Sequence, residues 1–245
     1  MDVNFRPIFP TPMGYANFGE QARELNKQLV KDIDDCMSKH TGKDRTFRKN
    51  NSGWQSNPYL EDMYESFERL RGLIDAAAKP VLGHSGVTNE TLPQIRTEGL
   101  WANVCFDVGG YSRPHIHGAG RTLWSGVYYP QSLHDEITND NLDEFEEHTT
   151  IMPGFQKGDG LLVLLDPSKT TKGLLLTQFN SREFYGGEVS VFPRESLLIL
   201  FPVWVMHMVT PLTKKEKRYQ EKLYLVFTRE TLQSIQEGQK TKLIL

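Results

Sequence analysis

The sequence is poor in cysteine and has no long apolar run. Only Cys36 and Cys105 occur among its 245 residues, which is too few for a disulfide framework, so we expect both to be reduced and structural. The longest apolar run, Leu197 to Met206, contains Pro202 and is much shorter than the roughly 20 residues that span a bilayer. Residues 1–15 lack the basic start and apolar centre of a signal peptide. These absences predict a cytoplasmic protein without a membrane anchor.

An excess of positive charge is also absent. The formal net charge is −3, from 28 lysines and arginines against 31 aspartates and glutamates, and the isoelectric point is near 6.2. Such a chain has no general basic field to hold a phosphate backbone, so nucleic acid is disfavoured as a partner. A chain of this length fits one domain with its own core. We therefore expect one active centre that acts on a small molecule or a peptide.

Hydrophobic spacing divides the chain into a helical first third and a β-rich remainder. Apolar residues recur at helical spacing in 22–37 and in 60–74, which predicts two amphipathic helices. From about Leu92, short runs of Val, Leu, Tyr and Phe are separated by Gly, Pro and Asp, a pattern typical of an all-β sandwich or barrel. The predicted strands are Leu100–Val108, Leu123–Tyr129, Gly160–Leu165, Glu188–Phe192, Leu197–Phe201 and Lys222–Phe227.

These patterns predict an N-terminal helical extension at residues 1–90, a β domain at 91–230 and a C-terminal helix or tail at 231–245. The helices can cover a sheet edge or a second subunit equally well. An acidic insertion at 131–158 is either a lid over a site or a solvated loop. Between the helices, the polar residues 41–58 predict a loop, whose Trp54 either docks the helices or covers a pocket.

Three histidines form the most informative pattern. His115 and His117 are separated by one residue at the start of a β region, and strand alternation puts both side chains on one face. His207 follows the apolar run that begins at Leu197, and it can join them if the two strands lie opposite each other. Imidazole suits iron, zinc, copper and nickel, so the ligand type alone leaves the metal open.

The residues around these histidines resemble a known family. The blocks are Trp101-Ala102-Asn103, Gly109-Gly110-Tyr111, His115-Ile116-His117 and Ser125-Gly126-Val127-Tyr128-Tyr129. They look like the 2-oxoglutarate/Fe(II) oxygenase family that is common in marine phages and bacteria. Residues 201–211 are similar to that family's F-P-S-W-L-x-H-x-V-x-P block, with Val203 in place of serine. Residues 51–56 resemble its S-N-x-G-W-Q-S element, so the similarity extends in separate blocks over about residues 48 to 228.

The resemblance implies a mainly β fold with N-terminal helices, the cupin-like jelly roll or double-stranded β-helix. It also implies a catalytic Fe(II) held by His115, His117 and His207. The wider superfamily uses a His-x-Asp/Glu…His triad, whose open positions admit co-substrate and oxygen, and here His117 stands at the carboxylate position. The implied activity is that of a dioxygenase that uses O2, converts 2-oxoglutarate to succinate and CO2, and hydroxylates a peptide side chain or a small metabolite. A phage-encoded protein would act in the host cytoplasm.

The superfamily also implies a basic residue that binds the distal carboxylate of 2-oxoglutarate, on the strand after the distal histidine. Lys222, with Tyr224 on the same strand face, has the appropriate place in the predicted strand. Arg218 keeps the family's spacing from His207 but lies in a charged run. We favour Lys222 and keep Arg218 as the alternative. Two residues are further candidates for contact with the co-substrate, namely Asn103 and Tyr128.

Two other functions remain open at this level. Three histidines in a jelly roll also describe cupin-type dioxygenases that need no 2-oxoglutarate. A non-catalytic jelly-roll binding protein is the third hypothesis. A basic group on the strand after His207 discriminates the first hypothesis from the second, because only the first needs it for co-substrate affinity.

Overall fold

A computed structural model describes residues 11–39, 50–51, 53–105, 111–117, 122–131, 160–166, 188–211 and 218–227. Two long helices precede most of the strands: α1 is Arg23–Lys39 and α2 is Glu65–His84. Among the described residues, no helix is both long enough and apolar enough to cross a membrane. The strands are β1 (Gly14–Asn17), β2 (Asn50–Asn51), β3 (Gly53–Gln55), β4 (Ile95–Cys105), β5 (Tyr111–His115), β6 (Thr122–Tyr128), β7 (Leu162–Leu165), β8 (Glu188–Val191), β9 (Leu197–Pro202), β10 (Met206–Val209) and β11 (Arg218–Phe227).

The strands form two antiparallel sheets. The first has the order β1-β9-β6-β11-β4-β3 and the second has the order β2-β5-β10-β7-β8. Side chains from both sheets pack together in one apolar cluster, in which Val127 and Ile199 of the first sheet join Leu162 and Leu164 of the second. The two sheets therefore pack face to face, and the space between them is the interior of the β domain.

The two helices cover the outer face of the first sheet. Their apolar stripes are buried against side chains that alternate along β4 and β9, which explains why the helical period is so clear in the sequence. The shared cluster contains Leu25, Leu29 and Ile33 of α1, Phe67, Leu70 and Ile74 of α2, and Leu100, Ala102, Val104, Leu198 and Leu200 of the sheet. Burial of these stripes anchors the helices to the β domain, so the helices cover a sheet of the same chain.

The first third of the chain also contributes strands. β1 pairs with β9, β2 with β5, and β3 with β4. The prediction of a loop over 41–58 is wrong at residues 50–51 and 53–55, which form β2 and β3. Trp54 lies in β3, where it is buried in the core beneath the helices. Strands of two to four residues are too short to produce a period in the sequence. Residues 41–49 lie outside the described residues.

The longer predicted strands are present with shifted ends. β4 begins at Ile95 rather than Leu100, because Arg96 and Glu98 hide the apolar pattern of its first half. β11 begins at Arg218 rather than Lys222, inside the charged run. The acidic insertion, except Gln131, and the tail 231–245 lie outside the described residues. The proposed domain boundaries stay predictions.

Two glycines give a matched test of the contact between β1 and α2. A Cβ atom on Gly14 would lie 2.5 Å from Cγ2 of Val81 on α2, whereas a Cβ atom on Gly72, also on α2, meets no atom within 4 Å. We expect Gly14→Ala to lower the free energy of unfolding by about 1–3 kcal/mol through overpacking. Gly72→Ala should raise it by about 0.5–1 kcal/mol, because alanine favours the helix. Urea unfolding of both variants measures this, and equal effects would contradict the described packing.

Candidate metal centre and co-substrate site

Three imidazoles converge on the second sheet. His115 ends β5, His207 lies in β10, and the two residues are direct cross-strand partners. His117 lies two residues beyond His115, just after the end of β5, and the centroids of the two rings are 4.8 Å apart. One possible ligand atom from each histidine lies within 4.8 Å of the others. The structure therefore brings together the three residues that the sequence pattern singled out.

Backbone carbonyl groups orient two of these rings. Nδ1 of His207 lies 3.0 Å from the carbonyl oxygen of Val205, and Nδ1 of His115 lies 2.6 Å from that of Arg113. Because a carbonyl oxygen only accepts, Nδ1 carries the proton in each contact and donates it. The lone pair then resides on Nε2, which is the usual arrangement of metal-binding histidines.

One pair of nitrogens has the spacing of two adjacent ligands of an octahedral ion. The Nε2 atoms of His117 and His207 are 2.9 Å apart. Two nitrogen ligands that lie about 2.1 Å from one ion at a right angle are separated by about 3 Å. Three ligands on one face leave the opposite positions open to co-substrate and oxygen, as in non-haem Fe(II) oxygenases. The residues present therefore fit a divalent iron.

Aromatic side chains enclose the buried side of this histidine cluster. His207 is fully buried, and its ring centroid lies 4.8 Å from that of Phe201 on β9. Trp101 on β4 and His117 form an edge contact, with the ring centroids 5.6 Å apart. His115 and His117 are only half-buried. Both aromatic residues come from the first sheet, so the cluster faces the interior between the two sheets.

Alternation along β4 decides which of its residues face the histidines. Ala102 and Val104 are buried beneath the helices, so Trp101 and Asn103 lie on the opposite face of the strand, toward the interior. The contact between Trp101 and His117 agrees with this assignment. Asn103 is buried and remains a candidate for contact with the co-substrate.

Tyr128, the other polar candidate, is on the wrong face. Its side chain is fully buried beneath the helices, and its hydroxyl donates to Oδ1 of Asn26 on α1 at 2.6 Å. The prediction that Tyr128 contacts the co-substrate is therefore wrong. The physical reason is strand alternation, because the neighbouring Val127 is the residue that faces the interior.

Backbone register separates the two basic candidates on β11. Lys222 is paired with Trp101 on one side and with Val127 on the other, both of which face the interior. Arg218 is paired with Cys105 at the far end of β4. Four residues along a strand correspond to about 13 Å. Lys222 thus occupies the cross-strand row that contacts the histidine cluster, and Arg218 lies two rows away along that face.

Tyr224 lies one cross-strand row further along β11, in the row that contains a residue in contact with His207. Its partner on β6 is Ser125, and Ser125 is in turn paired with Phe201 of β9. Phe201 is the residue whose ring packs on His207. The row of Lys222 therefore contains Trp101, which contacts His117, and the row of Tyr224 contains Phe201, which packs on His207. Trp101 and Phe201 were not identified from the sequence as residues that line this site. Each lies next to a strand residue that faces the helices, and this alternation could have predicted that both face the interior.

The span from Gly99 to Gln220 matches a protein-family model. The family is described as "Putative 2OG-Fe(II) oxygenase", and the match covers residues 99–220, about half of the chain, with all three histidines inside it. The chain belongs to this family. It is a 2-oxoglutarate-dependent Fe(II) oxygenase, which confirms the prediction of iron and 2-oxoglutarate. No match is found among curated proteins.

Solved structures of similar fold include two prolyl hydroxylases and a protein with nickel and 2-oxoglutarate bound. A prolyl-4-hydroxylase of Pseudomonas putida has 14% sequence identity and a TM-score of 0.54, over 89% of this chain and 94% of its own. A prolyl hydroxylase of Trichoplax adhaerens, in complex with a peptide fragment of hypoxia inducible factor, has 13% identity and a TM-score of 0.55, over 91% of this chain and 87% of its own. HygX of Streptomyces hygroscopicus, with nickel and 2-oxoglutarate bound, has 12% identity and a TM-score of 0.52, over 89% and 84%. Likeness at these identities establishes the fold, so the predicted jelly roll is confirmed.

Proposed function

We propose that this oxygenase hydroxylates a peptide side chain or a small metabolite at an iron held by His115, His117 and His207. The observation that supports the assignment of ligands is the convergence of the three imidazoles within 4.8 Å, with two of the rings oriented by backbone carbonyl groups. When bound, Fe(II) and 2-oxoglutarate supply the oxidising chemistry, in which O2 gives one oxygen atom to succinate, with loss of CO2, and one to the substrate.

Each histidine is held in position by different contacts in this proposal. His207 presents Nε2 from a fully buried position, where its ring is fixed between Phe201 and the carbonyl group of Val205. His115 is oriented by the carbonyl group of Arg113 on its own strand, and His117 packs against Trp101 in an edge contact. Because His117 replaces the usual carboxylate, the ligand set has one negative charge fewer. The site is therefore more attractive to the dianionic 2-oxoglutarate, and oxidation of its Fe(II) is less favourable.

Lys222 and Tyr224 bind the distal carboxylate of 2-oxoglutarate in this proposal. The register that places Lys222 between Trp101 and Val127 supports it, since this row contacts His117. A compact ammonium group forms a strong charge-assisted hydrogen bond with a carboxylate in such an interior. Asn103, two residues from Trp101 on the same face, is the further polar contact.

A peptide is the substrate class to test first. Two of the similar solved structures are named prolyl hydroxylases, and one of them holds a peptide fragment. HygX has also been solved with hygromycin B, so the same fold accepts a small molecule. The family match argues against a three-histidine dioxygenase that works without 2-oxoglutarate.

Production of succinate tests the reaction directly. The protein with Fe(II), O2 and 2-oxoglutarate should form succinate slowly, and a proline-containing peptide substrate should accelerate this by about 10-fold or more, as correct positioning does. Peptides that gain 16 mass units identify hydroxylation. A protein without iron is the control. If iron and 2-oxoglutarate bind but no peptide or metabolite in a broad panel stimulates succinate formation, the non-catalytic hypothesis replaces this proposal.

A further inference from the structure

We infer that Glu61 is a positioning residue of the iron site, although it touches none of the three histidines in the contacts described above. Its carboxylate holds a β-bulge in β4, and this bulge turns Trp101 and Asn103 toward the histidine cluster. The inference rests on the proposed function in one respect, because it takes His117 as an iron ligand.

The bulge is visible in the pairing of β4 with β11. Lys222 is paired with Trp101 and Tyr224 with Glu98, so two residues of β4 lie where β11 has one. The additional residue falls at Gly99, whose φ of 72° is in the left-handed region. A left-handed glycine followed by a second unpaired position is typical of one common bulge type.

The bulge reverses which residues of β4 face the helices. Before it, the odd-numbered Ile95 packs against the core beneath the helices. After it, the even-numbered Leu100 and Ala102 occupy that core. Because side chains alternate along a strand, an unbulged β4 would keep odd positions on the helix side. Trp101 would then point away from His117, so the extra residue is what brings Trp101 to the site.

Glu61 satisfies both backbone amides of the bulge. Its Oε1 accepts a hydrogen bond from the amide of Gly99 at 2.6 Å, and its Oε2 accepts one from the amide of Leu100 at 2.9 Å. Glu61 is 6% exposed. A buried carboxylate is costly unless it is well hydrogen-bonded, and only a carboxylate can accept from two adjacent donors in this way without presenting a donor of its own.

The approach of Glu61 to the bulge also involves backbone strain. Glu61 lies in a short 3₁₀ helix, Leu60–Asp62, which begins directly after Tyr59. Tyr59 has a φ of 70°, which is unfavourable for a bulky residue, and the residue is 52% exposed. Left-handed residues thus lie on both sides of the contact, at Tyr59 and at Gly99. Strain of this kind persists where the surrounding structure requires it, and it clusters at functional sites.

A second carboxylate that accepts a hydrogen bond from the same strand offers a matched control. Oδ1 of Asp75, on α2, accepts a hydrogen bond from the amide of Thr97 at 2.8 Å. Thr97 precedes the bulge, so this contact joins the helix to the sheet edge without affecting the direction of Trp101. A purely structural role predicts similar consequences for Glu61→Gln and Asp75→Asn. A positioning role predicts that only Glu61→Gln changes the site.

The first test observes Trp101 in the metal-free protein. Tryptophan is labelled with ¹⁵N, and the indole signals are assigned by Trp101→Phe and Trp124→Phe. Glu61→Gln should shift the Trp101 signal and leave that of Trp124, which lies beneath the helices, in place. Asp75→Asn should move neither. An unchanged Trp101 signal in folded Glu61→Gln would overturn the inference whether or not the protein binds iron.

The second test links the bulge to co-substrate binding. We expect Glu61→Gln to raise the Kd for 2-oxoglutarate at the Fe(II) site by about 10-fold, given the strength of hydrogen bonds to charged groups. Gly99→Ala, which keeps Glu61 but penalises the left-handed bulge, should have the same effect. Asp75→Asn should change the Kd by less than about twofold, the range of independent distant sites. Equal effects of the Glu61 and Asp75 substitutions would contradict the positioning role, whereas failure of the wild type to bind 2-oxoglutarate would contradict the proposed function.

Discussion

His207→Ala is expected to weaken Fe(II) binding by more than about 100-fold. Loss of an outer partner of a metal ligand typically costs about 10–100-fold in affinity, and His207 supplies a nitrogen directly in the proposed site. The residue is fully buried between Phe201 and the carbonyl group of Val205, and among the described residues only His115 and His117 lie with it in this cluster. Anaerobic titration with Fe(II) against a chromogenic chelator measures the change.

His84→Ala is the matched control for this substitution. His84 ends α2, is exposed, and its Nδ1 contacts the carbonyl oxygen of Pro80 within the same helix. Its removal should leave the affinity for iron unchanged within about twofold, as expected for a distant and independent site. If His207→Ala folds, as judged by circular dichroism, and still binds Fe(II) like the wild type, the three histidines are not the metal ligands.

Lys222→Met is expected to raise the Kd for 2-oxoglutarate by about 100-fold while the affinity for Fe(II) is retained. Truncation of one partner in a buried, hydrogen-bonded charge pair costs about 2–5 kcal/mol, and 1.4 kcal/mol corresponds to a factor of ten. Methionine keeps an unbranched apolar stem that reaches as far as Cε and lacks the ammonium group with its charge and donors. Calorimetry under argon, with iron already bound, measures the co-substrate affinity.

Arg218→Met is the control that distinguishes the two basic candidates. Arg218 is paired with Cys105, about 13 Å along the strand from Lys222. Its substitution should change the Kd for 2-oxoglutarate by less than about threefold, the range typical of exposed or distant charge contacts. The reverse result, a large loss with Arg218→Met and none with Lys222→Met, would assign the carboxylate contact to Arg218.

The sequence allowed the histidine cluster to be predicted because its signal is local. His115 and His117 share a strand face by alternation alone, and the blocks around them resemble one family. His207 required the further assumption that two strands lie opposite each other, and the pairing of His207 with His115 confirms it. The two helices could be predicted equally well, because long apolar stripes with a helical period are the strongest pattern in a single sequence.

The remaining features depend on contacts between distant segments. Which face of β6 meets the helices is decided by the packing of α1, so the orientation of Tyr128 toward Asn26 could not be predicted from β6 itself. The bulge at Gly99 adds one residue to β4, and only the pairing with β11 reveals it. The proposal of Lys222 over Arg218 likewise depends on the register of three strands. Strands as short as β2 and β3 form because longer neighbours offer them an edge.

Anaerobic absorption spectroscopy of the protein with Fe(II) and 2-oxoglutarate tests the central claim most directly. Bidentate binding of 2-oxoglutarate to Fe(II) produces a weak visible charge-transfer band. We expect this band in the wild type, and we expect it to vanish in His115→Ala and His207→Ala but not in His84→Ala. Iron binding without a band would favour a three-histidine dioxygenase that works without 2-oxoglutarate. A wild type that binds no iron would show that the histidine cluster is structural and would contradict the proposed iron site.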